Sequence, residues 1–104
     1  MIRIANQRTH RGKGVYVGRP STLGNPFVIG KDGDRAAVIQ KYRRWLWQEM
    51  QHRQGQVYIE LQNLLRIART SDLTLVCWCH PEPCHADVLR ACLEYLLQTE
   101  AGNQ

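Results

Sequence analysis

The sequence predicts a small Rossmann-like α/β domain in which helices cover a short, mostly parallel sheet in two or three layers. Segments 2–5 and 14–17 have the pattern of short strands, and the basic segment 6–14 between them is either a hairpin loop or a mobile loop. Segment 73–77 is apolar almost without interruption, which is typical of a strand buried on both faces of a sheet. Apolar residues recur at helical spacing between and after these strands, and strands that alternate with helices favour a parallel sheet.

Three helices are predicted from this spacing, together with one further short strand at residues 28–30. Asp34 is a good N-cap for the first helix, which runs to about His52. The second helix covers most of residues 57–68, and the third begins near Cys84. The predicted core-facing residues of the helices are Val38, Ile39, Tyr42, Trp45, Leu46, Met50, Leu61, Leu64, Leu65, Ala68, Val88, Leu89, Cys92, Leu93, Leu96 and Leu97.

The composition predicts one domain, residues 1–104, with a single hydrophobic core, since 43% of the residues are hydrophobic. The formal net charge is +5 and the sequence pI is about 9.3. This charge favours phosphate-bearing partners such as nucleotides or nucleic acid, although it also serves to keep a small protein in solution.

No apolar stretch approaches the roughly 20 residues that span a bilayer, so no membrane partner is expected. Residues 1–4 lack the apolar segment of a signal peptide, and we expect a cytoplasmic protein. Because cytoplasmic thiols stay reduced, the four cysteines are interpreted as metal ligands, catalytic thiols or core residues rather than as disulfides.

Residues 77–85 form the chemically densest segment, with three of the four cysteines and two of the four histidines. The segment lies between the buried strand and the last helix. One hypothesis is a zinc site, for which Cys79, His80, Cys84 and His85 are the candidate ligands. The spacing argues against a simple structural zinc site, because cysteine pairs separated by two residues are missing.

A second hypothesis is a reactive thiol. Cys84 is predicted to lie at a helix N-terminus, where the helix dipole and free N–H groups lower the pKa of a thiol. His85 or His80 would act as the base, and Cys79 is a further catalytic candidate. A third hypothesis is that the helix start binds an anion through its N–H groups while the cysteines only pack. Asp87 is expected to cap this helix.

Residues 18–27 carry two glycines and two prolines, which exclude a regular helix and predict an irregular, stiff turn. Exposed N–H groups and polar side chains in such a turn form an anion or sugar pocket. The alternative is a purely structural double turn with Phe27 in the core. The candidate ligand-binding residues of this turn are Gly18, Arg19, Ser21, Gly24 and Asn25.

Both of these loops follow predicted strands, at residues 14–17 and 73–77. In α/β folds, ligands bind outside the carboxyl ends of the strands. If the two strands are parallel, the two loops therefore form one cleft. The residues expected around this cleft are Arg19, Ser21, Asn25, Cys79, Cys84 and His85.

Three motifs occur in order along the chain: VGRPS at 17–21, GNPF at 24–27, and a CWC to CH segment at 77–85 with Asp87 and Leu89 after it. Together they resemble the domain-of-unknown-function (DUF) family numbered 4326, small proteins of bacteria and their phages. The resemblance extends from the first strand to the last helix. It implies that the two loops belong to one site and that the setting is a bacterial cell or a phage-infected host.

The leading functional hypothesis is a pocket for a phosphate-bearing ligand: a nucleotide, a nucleoside or a nucleic-acid end. An enzyme of this kind would catalyse transfer or hydrolysis on the ligand, with Cys84 and His85 near the chemistry and Arg19 holding the phosphate. The alternative is a non-catalytic binding module, with or without zinc, whose basic face binds nucleic acid or a host protein. Trp47 lies off the apolar stripe beside arginines, where it either stacks on a base or a partner or covers the edge of the core.

Overall fold

A computed structural model describes the backbone of residues 1–102 and the side chains of residues 1–99. The α/β prediction is confirmed, and the three strands form one fully parallel sheet. The predicted domain boundary at residue 104 lies outside the described residues. The elements in chain order are β1 (Ile2–Asn6), β2 (Val15–Tyr16), α1 (Arg35–Gln51), α2 (Gln56–Thr70), β3 (Leu73–Cys77) and α3 (His85–Gly102).

β3 lies in the middle of the sheet, with β1 on one side and β2 on the other. β1 pairs with β3 along its whole length, beginning with Ile2 opposite Leu73. β2 pairs only with the later part of β3, where Val15 lies opposite Leu75. Because the strands are parallel, the segments that follow them begin at the same edge of the sheet.

The segment 7–14 connects two parallel strands that are separated by β3, so the hairpin interpretation is wrong. A hairpin joins adjacent antiparallel strands. The segment crosses β3 instead, and Gly14 lies against the side chain of Val76. A Cβ added to Gly14 would lie 2.7 Å from Cγ2 of Val76, well inside the distance at which carbon atoms pack. The missing side chain of Gly14 therefore allows the crossing.

The main core lies between the helices and one face of the sheet. Leu73, Leu75 and Cys77 alternate along β3 and belong to this core, together with the predicted stripes of the three helices. No helix in the described part of the chain is long and apolar enough to cross a membrane. The most deeply buried helical side chains include Tyr42, Leu46, Leu61, Leu64, Leu65, Leu89 and Leu93.

The chain turns tightly just before α1. Residues 28–30, predicted as a strand, form a turn, because the Val28 carbonyl accepts hydrogen bonds from the N–H groups three and four residues later. These local bonds leave this segment without a sheet partner. Asp34 then caps α1 as predicted, since its Oδ1 accepts a hydrogen bond from the Ala37 N–H at 2.8 Å.

The turn at residues 18–27 is tied to the core by Leu23. Leu23 is 4% exposed, whereas Phe27 is half buried and lies outside the core cluster. The alternative in which Phe27 plugs the core is therefore wrong. The buried Tyr42 hydroxyl of α1 donates a hydrogen bond to the Leu23 carbonyl at 2.7 Å. Burial raises the pKa of Tyr42, so this hydroxyl stays protonated.

Replacing Tyr42 with Phe is expected to lower the free energy of unfolding by about 1–3 kcal/mol, because the Leu23 carbonyl is then buried without its donor. Urea unfolding followed by circular dichroism measures the change. Tyr95→Phe is the matched control, since Tyr95 is 56% exposed and its hydroxyl has no hydrogen bond to the described residues. Equal losses in the two variants would contradict the role given to this bond.

Candidate functional site

A cavity of about 380 Å³ lies where the segments that follow β2 and β3 meet the start of α1. The two predicted loops therefore contribute to one cavity, as expected from parallel strands. Ser21, Gly24 and His80, which were also predicted, are not among its lining residues. The functional roles assigned to all of these residues stay predictions. The predicted residues that line the cavity are Gly18, Arg19, Asn25, Cys79, Cys84 and His85.

The turn after β2 is shaped by its own small and polar residues. The Oδ1 of Asn25 accepts a hydrogen bond from the N–H two residues later at 2.9 Å, and its Nδ2 donates to the Val38 carbonyl at 3.3 Å. Gly24 is buried against Arg19, where an added Cβ would lie 2.9 Å from the backbone nitrogen. The Ser21 Oγ is buried without a hydrogen-bond partner among the described residues. The hydrogen bonds of Asn25, together with the close packing of Gly24 against Arg19, thus shape this wall of the cavity.

Two arginines of the cavity differ in how they are held. The Arg35 guanidinium donates to the Pro83 carbonyl at 3.0 Å and forms an ion pair with Glu82 at 3.1 Å. Arg19 is exposed, and its guanidinium has no hydrogen bond or ion pair with the residues that the structure describes. Arg35 therefore joins α1 to the loop after β3, and Arg19 is available to a ligand.

An aromatic pair borders the same cavity. The Trp78 Nε1–H donates a hydrogen bond to the Tyr16 hydroxyl at 3.0 Å, and that hydroxyl donates to the Arg19 carbonyl at 2.6 Å. Trp78 is nevertheless 54% exposed. Sequence reasoning missed Trp78 and Arg35 as site residues. The end of the apolar run at Cys77 was the available signal for Trp78, because the next residue begins the loop.

His85 joins the two loops from the inside. Its Nε2–H donates a hydrogen bond to the Val17 carbonyl at 2.6 Å, and its ring meets the Tyr42 ring edge-on with centroids 5.2 Å apart. Burial lowers the pKa of His85, so the ring is neutral near pH 7. Because the carbonyl requires a donor at Nε2, the other ring nitrogen, Nδ1, carries the free lone pair.

Two buried thiols are in contact here: Cys84 lines the cavity, and Cys77 lies behind it. The Sγ atoms of Cys77 and Cys84 are 3.5 Å apart. The hydrogen bond from Cys84 lowers the pKa of Cys77 to about 5; burial opposes this shift, and the N–H groups of His80 and Cys79 support it. Donating this hydrogen bond, together with burial, raises the pKa of Cys84. These opposite shifts predict that the two sulfurs hold one proton between them at neutral pH.

The prediction that the start of α3 lowers the pKa of Cys84 is wrong. The helix start does bind this sulfur, since the Ala86 N–H donates to Sγ at 3.4 Å. The hydrogen bond to Cys77 and burial outweigh that effect. Asp87 caps the helix as predicted, because its carboxylate accepts a hydrogen bond from the Cys84 N–H at 2.9 Å. The thiol whose pKa is lowered is Cys77, which sequence reasoning assigned to the buried strand alone.

The four residues proposed as zinc ligands do not converge. Within the described residues, no group of three or more His, Cys, Asp or Glu side chains is arranged to hold a metal ion. His85 is bound through Nε2 to a carbonyl, and Cys84 points its sulfur at Cys77. The donor set of a tetrahedral zinc site, with four ligands around one centre, is therefore not assembled here.

These features define the class of protein: a small α/β domain with a ligand-sized cavity at the carboxyl edge of a parallel sheet. The chain belongs to the family described as a domain of unknown function, DUF4326, whose model matches residues 2–95. The resemblance predicted from the motifs is thus confirmed. No curated protein and no solved structure matches the chain.

The native protein is expected to carry a thiolate at neutral pH that titrates near pH 5, because the pKa of Cys77 is lowered to about 5. Ultraviolet thiolate absorbance, recorded as the pH is lowered, measures it. Cys77→Ser should remove this absorbance. Cys92→Ser should keep it, since burial raises the pKa of Cys92 to about 11 and its thiol contacts Met50. A wild-type protein without thiolate absorbance at neutral pH would contradict the assignment.

The lowered pKa of Cys77 also makes the free energy of unfolding depend on pH. An unfolded thiol keeps its proton up to about pH 9, whereas Cys77 in the folded protein loses it near pH 5. The contribution of Cys77 to stability is therefore present above the unfolded pKa and is lost as the pH falls through about 5. Urea unfolding at several pH values measures the free energy of unfolding. In the wild type this free energy should rise as the pH increases above about 5, and in Cys77→Ser it should rise less.

Proposed function

We propose that the cavity binds a phosphate-bearing ligand of the nucleotide or nucleoside class. The observation that carries this proposal is that Arg19, whose guanidinium has no partner among the described residues, lines the same cavity as the exposed indole of Trp78. Guanidinium groups bind phosphate oxygens, and aromatic faces stack on bases. A ligand with a phosphate at one end and a base at the other satisfies both groups.

Positive charge supports the phosphate end of this proposal. Arg19 and Arg35 line the cavity, and the N-terminus of α3 begins at its wall with Cys84 as the capping residue. Glu82 partly neutralises Arg35, so Arg19 is proposed as the main phosphate ligand. The helix dipole and the net charge of +5 add attraction for an anion.

Rigid aromatic and apolar groups support the base end. Trp78 is held by its hydrogen bond to Tyr16, so its ring is oriented before a ligand arrives. Phe27, Ile29 and Ile39 supply an apolar wall in the same cavity. Such a wall, with a few fixed polar groups, is typical of small-molecule sites.

For transfer or hydrolysis on the ligand, we propose that Cys79 and His85 act ahead of Cys84. Cys79 is half buried and lines the cavity. Cys84 is the weaker nucleophile, because its raised pKa keeps the thiol protonated. His85 is neutral and holds a free lone pair on Nδ1, the state required of a general base.

Arg19→Gln is expected to weaken the affinity for a nucleotide at least about tenfold, because hydrogen bonds to charged groups contribute about 1.5–3 kcal/mol. Isothermal titration calorimetry on the reduced protein would use a panel of nucleoside mono- and diphosphates, the matching nucleosides and inorganic phosphate. Arg66→Gln is the matched control, since Arg66 is exposed on α2 and lines neither this cavity nor the groove between α1 and α3.

The proposal fails if nucleosides bind as tightly as their phosphates, or if Arg19→Gln binds a nucleotide no more weakly than Arg66→Gln does. Trp78→Ala should weaken the binding of nucleosides and nucleotides alike, because it removes the surface on which the base of either ligand stacks. Chromatography of the tightest ligand after incubation with the protein tests turnover. An unchanged ligand would favour the non-catalytic binding module.

We propose single-stranded nucleic acid binding as a second candidate function, favoured by a groove between α1 and α3. Trp47 and Tyr95 are 54% and 56% exposed and line a space of about 590 Å³. Arg43 and Arg44 border the same groove. Exposed aromatic rings beside arginines form a surface on which successive bases stack.

Trp47→Ala is expected to lower the affinity for a single-stranded oligonucleotide by about tenfold, since stacking contributes about 1–3 kcal/mol per base. Fluorescence anisotropy with a labelled oligonucleotide, at low and moderate salt, measures the change. Trp78→Ala is the matched tryptophan control. If Trp78→Ala weakens binding and Trp47→Ala does not, the oligonucleotide binds by its end in the first cavity and the groove between α1 and α3 has no such role.

A further inference from the structure

We propose that Cys77 and Cys84 form a redox-active dithiol, which hydrogen peroxide converts to a disulfide at the wall of the cavity. This modification concerns the thiols themselves and does not depend on nucleotide binding. Three observations support the proposal: the short distance between the two sulfurs, the access that the cavity gives to one of them, and the separate position of the other cysteines.

The two sulfurs already lie in contact. Their separation is 3.5 Å, and a disulfide bond is about 2.0 Å long, so closure needs an approach of roughly 1.5 Å. Residues 78–83, between the two cysteines, are held in place by Asn6. Its Nδ2 donates hydrogen bonds to the carbonyls of Trp78 at 3.1 Å and His80 at 2.7 Å. The geometry is therefore imposed by the fold and does not depend on a chance encounter of mobile thiols.

Access distinguishes the two thiols. Cys84 is 4% exposed and lines the cavity, whereas Cys77 is 0% exposed. A molecule as small as hydrogen peroxide reaches Cys84 through the cavity. A bulky oxidant such as a peptide disulfide does not fit against Cys77. Cys84 is thus the thiol that is oxidised first, and Cys77 is the thiol that resolves it.

The chemistry proceeds in two displacements. The Cys84 proton first moves to the Cys77 sulfur along the hydrogen bond that joins them. The Cys84 thiolate then attacks one peroxide oxygen, so that an S–O bond forms, the O–O bond breaks, and the leaving hydroxide takes a proton from solvent and departs as the first water molecule. The Cys77 sulfur then attacks the Cys84 sulfur, so that an S–S bond forms and the S–O bond breaks, and the leaving hydroxide takes the Cys77 proton and departs as the second water molecule. The sulfur pair loses two electrons and the one proton that it holds, solvent supplies the second proton, and the peroxide is reduced to two molecules of water.

The remaining cysteines are placed apart from this pair. Cys79 lines the cavity and is half buried, but no contact joins its sulfur to another sulfur among the described side chains. Cys92 contacts the Met50 sulfur at 3.3 Å, on another part of α3. The expected product therefore links Cys77 to Cys84 and leaves Cys79 and Cys92 as thiols.

Peptide mapping of the wild-type protein tests this without a variant. Reduced protein is treated with hydrogen peroxide, its free thiols are alkylated, and it is digested with trypsin. Residues 70–90 form one tryptic peptide that carries Cys77, Cys79 and Cys84. After peroxide treatment, the expected peptide has lost two hydrogen atoms, one each from Cys77 and Cys84, and is alkylated at Cys79 alone. If the oxidised protein is reduced before alkylation, all three cysteines of the peptide are alkylated.

Matched variants identify the partners. Cys79→Ser should still form the disulfide, whereas Cys77→Ser and Cys84→Ser should not, with circular dichroism as the check that each variant is folded. A wild-type peptide in which Cys79 is one of the linked residues would overturn the proposal. So would a peptide that remains fully alkylated after peroxide, or one in which Cys84 proceeds to sulfinic acid without linking to Cys77.

Discussion

The parallel pairing of β2 with β3 is the interaction on which the cavity depends. Only Val15 and Tyr16 of β2 pair with β3, but this short pairing places the next carbonyl, that of Val17, at the start of α3. His85 donates a hydrogen bond to this carbonyl at 2.6 Å. A hydrogen bond in this buried setting is strong, and losing either partner leaves a costly unpaired group. Tyr42 packs against His85 and bonds the Leu23 carbonyl. Buried polar contacts thus hold both loops in place.

A hydroxyl would cap α3 better than the thiol of Cys84, since Ser, Thr, Asp and Asn are the preferred N-cap residues and sulfur is a weak acceptor. Capping alone therefore does not explain a cysteine at this position. The contact with Cys77 does, because two sulfurs at 3.5 Å share a proton and can form a covalent bond, which a hydroxyl cannot do. The cysteines at positions 77 and 84 are best understood as one unit.

Local patterns were sufficient for the three helices, for the three strands of the sheet and for the convergence of the two loops, but not for residues 28–30, which form a turn and not the predicted strand. The cap at Asp34 and the apolar run at 73–77 depend on neighbouring residues, and the rule for parallel strands then brings the loops together. The contact between Cys77 and Cys84 depends on the path of the loop between them, which no periodicity encodes. The role of Arg35 depends on a carbonyl 48 residues later in the chain. Long-range contacts of this kind need the folded chain.

The lowered pKa of Cys77 predicts a thiolate that limits how strongly an anion can bind in the proposed site. Its negative charge lies one sulfur away from the cavity wall and opposes the attraction of Arg19. Such buried charges are weakly screened by salt. By linkage, a bound phosphate raises the pKa of Cys77, and protonation of Cys77 tightens the binding of phosphate by the same factor. Disulfide formation removes the same charge. In the proposed site, anion binding, thiol ionisation and thiol oxidation are therefore coupled, whereas a neutral nucleoside would respond to none of these changes in charge.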